Sequence, residues 1–180
     1  VITASKYSDG PIFCRYPRGE GEGVDFTDIV QDVKIGKGRI IKKGKDLAIL
    51  ALGTRVGSAL KVADHLLQYN LKITVADARF AKPIDTQLIE KLWNEHQKLI
   101  IIEEGSAGGF SSHCLHLLSS KDLLNKHDKE IKCLTMPDNF QDHASQKEQL
   151  ARAGLDIDGL MKVVSKMITL SNVKNKSITN

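Results

Sequence analysis

Two arginines carry the clearest potential for chemistry in this sequence. Arg15 lies in Cys14-Arg15-Tyr16-Pro17-Arg18-Gly19, and Arg79 in Asp77-Ala78-Arg79-Phe80-Ala81-Lys82-Pro83. Each stands at the end of a strand-like run, just before a proline-marked turn, which is where open α/β sheets offer groups to ligands. A guanidinium fork matches a phosphate or carboxylate better than any other side chain. Two such forks from distant segments would make an anion clamp. The plainer role for each is a structural arginine covering a strand end.

The remaining polar motifs offer less. Glu103-Glu104-Gly105-Ser106-Ala107-Gly108-Gly109 is placed between a strand and a helix N-terminus, where backbone N–H groups and the helix dipole can cradle an anion. It lacks the P-loop lysine and the dinucleotide glycine spacing, and its two carboxylates would repel a phosphate. A tight turn with a functional or interface carboxylate nearby is the favoured reading. His113 and His116 flank Cys114 one helical turn apart, but zinc needs a further ligand that no motif supplies. By helical phase His113 borders the apolar face and His116 points away from it. Asp138, Asp142 and His143 follow Met136-Pro137 in what reads as a solvated, capping loop. Gly53-Thr54-Arg55 occupies the first strand–helix turn with a single glycine, which excludes the dinucleotide fingerprint. No Ser-His-Asp arrangement or pair of acid/base carboxylates stands out. The sequence thus offers a scaffold and an anion clamp.

The elements that must position these groups follow from hydrophobic periodicity. Residues 11–16 read as a short strand stopped by Pro17, and 19–32 as a Gly- and Asp-rich linker. From Lys34 to Lys45, six of twelve residues are Lys or Arg among glycines. That pattern suits a hairpin or a guarded edge strand better than a nucleic-acid patch. Continuous apolar runs at 47–52, 73–76, 99–102 and 131–134 read as buried strands. Between them lie helices with one apolar face: Val56 to Leu67, Leu88 to Trp93 after an Asp85 N-cap, and Phe110 to Leu118. Asn70 is a helix stop. Two more helical pieces are expected near 145–152 and 156–169, and a disordered tail over 171–180. Strand–helix alternation with fully apolar strands implies a three-layer α/β domain, its mostly parallel sheet flanked by helices on both faces.

Composition is consistent with that class. The chain has 180 residues, 41% hydrophobic and 27% charged, with a formal net charge of +4 spread among 22 acidic residues. These values describe a soluble globular protein and do not indicate a nucleic-acid partner. No apolar run approaches the roughly 18 residues that span a bilayer. The three cysteines are far apart in sequence and read as reduced thiols in a cytosol-like compartment, with Cys114 and Cys133 buried. The first residues contain neither Met nor a signal peptide, so a fragment lacking a larger N-terminal part is expected.

The ordered set Arg15-Tyr16-Pro17-Arg18-Gly19, Ile35-Gly36-Lys37-Gly38, Asp77-Ala78-Arg79-Phe80 with Lys82-Pro83 and Asp85, Glu103-Glu104-Gly105-Ser106 with Gly108-Gly109-Phe110, and Pro137-Asp138 resembles the C-terminal portion of the 1-deoxy-D-xylulose-5-phosphate synthase family. The resemblance covers roughly residues 8–168. Transketolase and the β subunit of pyruvate-type dehydrogenases are more distant relatives with the same C-terminal domain.

The resemblance implies a transketolase C-terminal domain-like fold over 33–170, preceded over 1–32 by the end of a pyrimidine-binding-type domain and a linker. It implies an enzyme that uses thiamine diphosphate and Mg2+. That enzyme joins pyruvate to glyceraldehyde 3-phosphate with loss of CO2, feeding isoprenoid, thiamine and pyridoxal synthesis. It further implies that Arg15 and Arg79 bind the substrate phosphate, and that the enzyme is a homodimer in the cytoplasm or plastid stroma, with no nucleic-acid or membrane partner. The family's Gly-Asp-Gly metal–diphosphate motif does not occur in this sequence, and its activating glutamate and catalytic histidines belong upstream. The chain alone is therefore expected to hold no cofactor, metal or catalytic residue and to be inactive. A non-catalytic assembly domain is the alternative, and an independent anion-binding protein the weaker third reading.

Overall fold

The structure, a computed structural model, describes residues 1–17, 32–125 and 128–176, with side chains through Ile168. Arg18, Gly19, most of the expected linker and the last four residues lie outside the described residues. The chain begins with a single helical turn, α1 (Ile2–Ser5), followed by an exposed irregular segment through Pro17. The strand expected over 11–16 does not form. No described strand lies alongside it, and an extended segment without a ladder partner gains nothing over solvated coil. Among the described residues, Val33 N–H donates to Thr3 Oγ1 at 3.0 Å and Lys6 Nζ lies 2.7 Å from Asp32 Oδ2, tying this N-terminal piece to the segment that leads into β1.

The main body alternates as expected. Its elements are β1 (Arg39–Lys42), β2 (Leu47–Ala51), α2 (Arg55–Leu66), β3 (Ile73–Asp77), α3 (Thr86–Glu95), β4 (Lys98–Ser106), α4 (Phe110–Ser120), β5 (Glu130–Met136), α5 (Gln146–Arg152) and α6 (Ile157–Lys176). The sheet order is β1-β3-β2-β4-β5. β2, β3, β4 and β5 run parallel, and β1 adds antiparallel to β3 as an edge. The lysine-rich segment is thus an edge strand, as its composition suggests. α6 continues past the stop expected at residue 169 and through the first part of the expected tail, because no Gly or Pro interrupts the chain between Gly159 and its end.

Two cores cover the two faces of the sheet. α2 and α6 pack Val62, Leu66, Leu160, Val164 and Met167 against Leu47, Ile49, Ile73 and Ile100. α3 and α4 pack Ile89, Leu92, Trp93, Phe110 and Cys114 against Ala48, Leu50, Leu99 and Ile101. All five residues of β2 are buried, which is why its sequence is apolar without alternation. Each fully buried Leu or Ile contributes about 1.5–3 kcal/mol of transfer free energy.

Local chemistry sets the element ends. Asp85 caps α3 by accepting from Leu88 N–H at 3.2 Å. Asn70 ends the 3-10 turn after α2 in the left-handed conformation, φ 59°. Ser145 and Glu148 form a reciprocal capping box at α5.

Candidate functional site

The exits of the parallel strands converge on one edge of the sheet. β2 leads to α2 on one face and β4 leads to α4 on the other. That divergence opens a crevice between adjacent strand ends, the usual ligand position in an open α/β sheet. In this chain the crevice is filled by the protein's own charges. Arg55 Nε donates to Glu104 Oε1 at 3.0 Å. Arg55 Nη1 donates to Leu155 O at 2.7 Å and to Ser58 Oγ at 3.2 Å, and Nη2 to Thr54 Oγ1 at 3.3 Å. The Thr54 hydroxyl donates to Glu104. Every guanidinium nitrogen of Arg55 is therefore engaged, with its side chain 9% and that of Glu104 23% exposed. This knot joins the start of α2, the end of β4 and the turn before α6.

Glu103 is used in the same structural way. Its carboxylate, 3% exposed, accepts Phe110 N–H at 3.1 Å and Ser111 N–H at 2.7 Å, capping α4. The Glu-Glu-Gly segment is thus a tight turn whose own carboxylate takes the α4 N–H groups that could otherwise receive an external anion. Gly109 is required by that arrangement, since a Cβ there would come within 2.8 Å of Glu103 Oε2. Burial, together with the nearby Cys133 and Glu103 charges, pushes the Cys114 thiol up to about 12, and burial also raises Cys133. Cys133 is half-buried rather than fully buried, and Cys14 is exposed.

Arg79 stands two residues past Asp77, where β3 ends. Its backbone is left-handed, φ 58°, held there as its N–H donates to Asp77 Oδ1 at 3.0 Å. Its Nε lies 3.7 Å from Asp77 Oδ2, and the side chain is 26% exposed. Its two terminal nitrogens make no hydrogen bond to any described residue. The turn is locked from both sides. Asp85 accepts Gly38 N–H at 3.1 Å and Lys37 Nζ at 3.2 Å on one side, and Asp77 accepts the Arg79 N–H on the other. Gly38 permits this approach, because a Cβ there would stand 2.6 Å from Asp77 O. A side chain missed by the sequence reading also belongs here. Arg39, opposite Asp77 in the β1–β3 register, brings its Nε to 3.4 Å from Asp77 Oδ2. Only an alternation-plus-register argument could have found it, and the register is invisible in an edge segment so rich in lysine and glycine.

The other expected partner, Arg15, is exposed, and no hydrogen bond or ion pair links it to Arg79 or to any other described residue. His113 is half-buried and His116 exposed, and Asp138, Asp142 and His143 are exposed in the loop before α5. Among the described residues no three His, Cys, Asp or Glu side chains form a metal site. With the α4 N-terminus closed by Glu103, these residues do not fit the magnesium–diphosphate end of thiamine diphosphate. No helix among them is long and apolar enough to cross a membrane.

Residues 36–160 match the sequence family described as "Transketolase, C-terminal domain". A solved structure of a split-gene transketolase, described as an inactive β4 tetramer, is similar at 27% identity over 78% of this chain, with a TM-score of 0.67. The chain spans 45% of that protein's length. A transketolase structure from Campylobacter jejuni is similar at 19% identity over 77% of this chain and 20% of the other, with a TM-score of 0.49.

Proposed function

Because this chain belongs to the transketolase C-terminal domain family, we propose that it is the C-terminal part of a 1-deoxy-D-xylulose-5-phosphate synthase and supplies phosphate-binding arginines to that enzyme. The observation that carries the reading is Arg79, held in a left-handed turn at a strand exit with its terminal nitrogens uncommitted among the described residues. A phosphate monoester such as glyceraldehyde 3-phosphate is the ligand class such a fork suits. Arg15 would complete the clamp when other domains of the enzyme hold its segment in place. Thiamine diphosphate, Mg2+ and pyruvate would be bound by those domains, in a cytosol-like compartment. In the full-length enzyme, Arg79→Ala and Arg15→Ala are each expected to raise KM for glyceraldehyde 3-phosphate. A charge-assisted contact of about 1.5–3 kcal/mol corresponds to roughly ten- to a hundredfold. Unchanged kinetics in both variants would sink the clamp.

A second reading has its own support. The split-gene transketolase relative is described as an inactive β4 tetramer, and in this chain the β2–β4 crevice is filled by the Arg55–Glu104 pair. On that reading the domain acts in assembly, and the chain forms a homo-oligomer. Sedimentation at high micromolar concentration tests it, and a strict monomer counts against it.

A further inference from the structure

We propose that Arg39 is a second cation of the Arg79 phosphate subsite, the two guanidinium groups being presented as a pair on the shared carboxylate of Asp77. The proposal rests on the reading of Arg79 as a phosphate ligand and adds a residue that reading does not contain. Arg39 and Arg79 come from different elements, the edge strand β1 and the turn after β3, yet the Nε of each lies within ion-pair distance of the same oxygen, Asp77 Oδ2, at 3.4 and 3.7 Å. Their Nε atoms therefore lie within roughly 7 Å of each other, a span that one phosphate group with several acceptor oxygens can bridge.

Charge accounting favours an incoming anion. Two guanidinium groups share one carboxylate, leaving one positive charge uncompensated in the cluster. Lys37 is already engaged with Asp85 and Gln87, and Asp85 with α3 and Gly38. Neither Arg39 nor Arg79 makes a hydrogen bond through a terminal nitrogen to a described residue, so both forks keep their outer donors for a ligand. Arg39 is 57% exposed and Arg79 26%, an arrangement open to solvent on the Arg39 side. The contrast with Arg55, whose nitrogens are all satisfied, separates this pair from structural arginines. The chemistry recognised is a phosphate monoester dianion. Arg79 provides the fixed fork and Arg39 the outer one.

The test uses the 180-residue chain and inorganic phosphate as the probe. Arginine Nε–H resonances are followed during titration at constant ionic strength, with chloride as the control. The expected result is that Arg39 and Arg79 shift together with one dissociation constant. Arg39→Gln should weaken phosphate binding by about five- to tenfold, and Arg39→Lys should recover part of the loss, since it restores charge without the fork. If Arg79 responds and Arg39 neither shifts nor matters when replaced, the pairing is wrong while the Arg79 reading stands. If Arg79 itself does not respond, or chloride produces the same shifts, both are wrong.

Discussion

Arg55 and Arg79 occupy the same edge of the same sheet, and their surroundings differ in every respect that separates structure from recognition. Arg55 follows the exit of β2, is buried, and has all three nitrogens bonded to Glu104, Leu155, Ser58 and Thr54. Arg79 follows the exit of β3, is partly exposed, and touches one carboxylate through one nitrogen. The lesson is that the crevice predicted by topology need not hold the ligand. Here the divergence between β2 and β4 is closed by an internal ion pair, and the available cations lie one strand further out, toward the edge.

The sharpest way to break this contrast is to remove Arg55. Arg55→Ala leaves the partly buried Glu104 carboxylate without its cation and with only the Thr54 hydroxyl as a partner among the described residues, and a loss of about 3–5 kcal/mol in stability is expected by urea denaturation. A loss below about 1 kcal/mol would mean that the knot is ordinary surface pairing. Glu103→Gln comes next. It presents an amide N–H₂ where two backbone N–H groups need acceptors, and should cost about 1–3 kcal/mol. Asp85→Ala follows at about 1–2 kcal/mol, since it removes the α3 cap together with the tie to Gly38 that shapes the Arg79 turn. Arg79→Ala should change stability by no more than about 0.5 kcal/mol while altering phosphate affinity, the reverse of Arg55→Ala. Similar stability losses for the two arginine variants would erase the distinction.

The thiols supply a built-in reporter for these comparisons. Exposed Cys14 should be alkylated in the native chain, whereas buried Cys114 should react only as the α4 core opens. Cys114 is raised in the folded state from an ordinary value of 9.0 to about 12, so the unfolded chain loses this proton first as pH rises. Its contribution to stability is complete below about pH 9 and declines between pH 9 and 12. Replacing Cys114 with Ala should flatten that alkaline decline in a pH series of urea midpoints.

Much of the fold was legible because its strands are buried on both faces. Runs such as Leu47-Ala48-Ile49-Leu50-Ala51 and Leu99-Ile100-Ile101-Ile102 announce a parallel sheet directly, and Asp85 and Asn70 mark element ends by local chemistry that needs no neighbour. The segment around Arg15 misled for the opposite reason. Its apolar, β-prone residues describe half of a ladder, and a strand exists only when the other half is present. The turn at Glu103–Gly109 reads best as a tight turn with a carboxylate nearby, and nothing in its residue order says that Glu103 folds back to cap α4.

The sequence by itself determined the α/β class, the strand and helix order, the edge character of the lysine-rich segment and the position of Arg79 at a strand exit. All of these depend on local periodicity, capping and breaker residues. Tertiary structure alone decided which charges are spent and which remain. Whether Arg55 is exhausted, whether Glu103 caps a helix, and whether Arg39 stands beside Arg79 depend on strand register and on contacts between residues as far apart as Arg55 and Leu155. Such contacts exist only once the sheet has assembled, because charge pairing is set by distance in space and leaves no period along the chain.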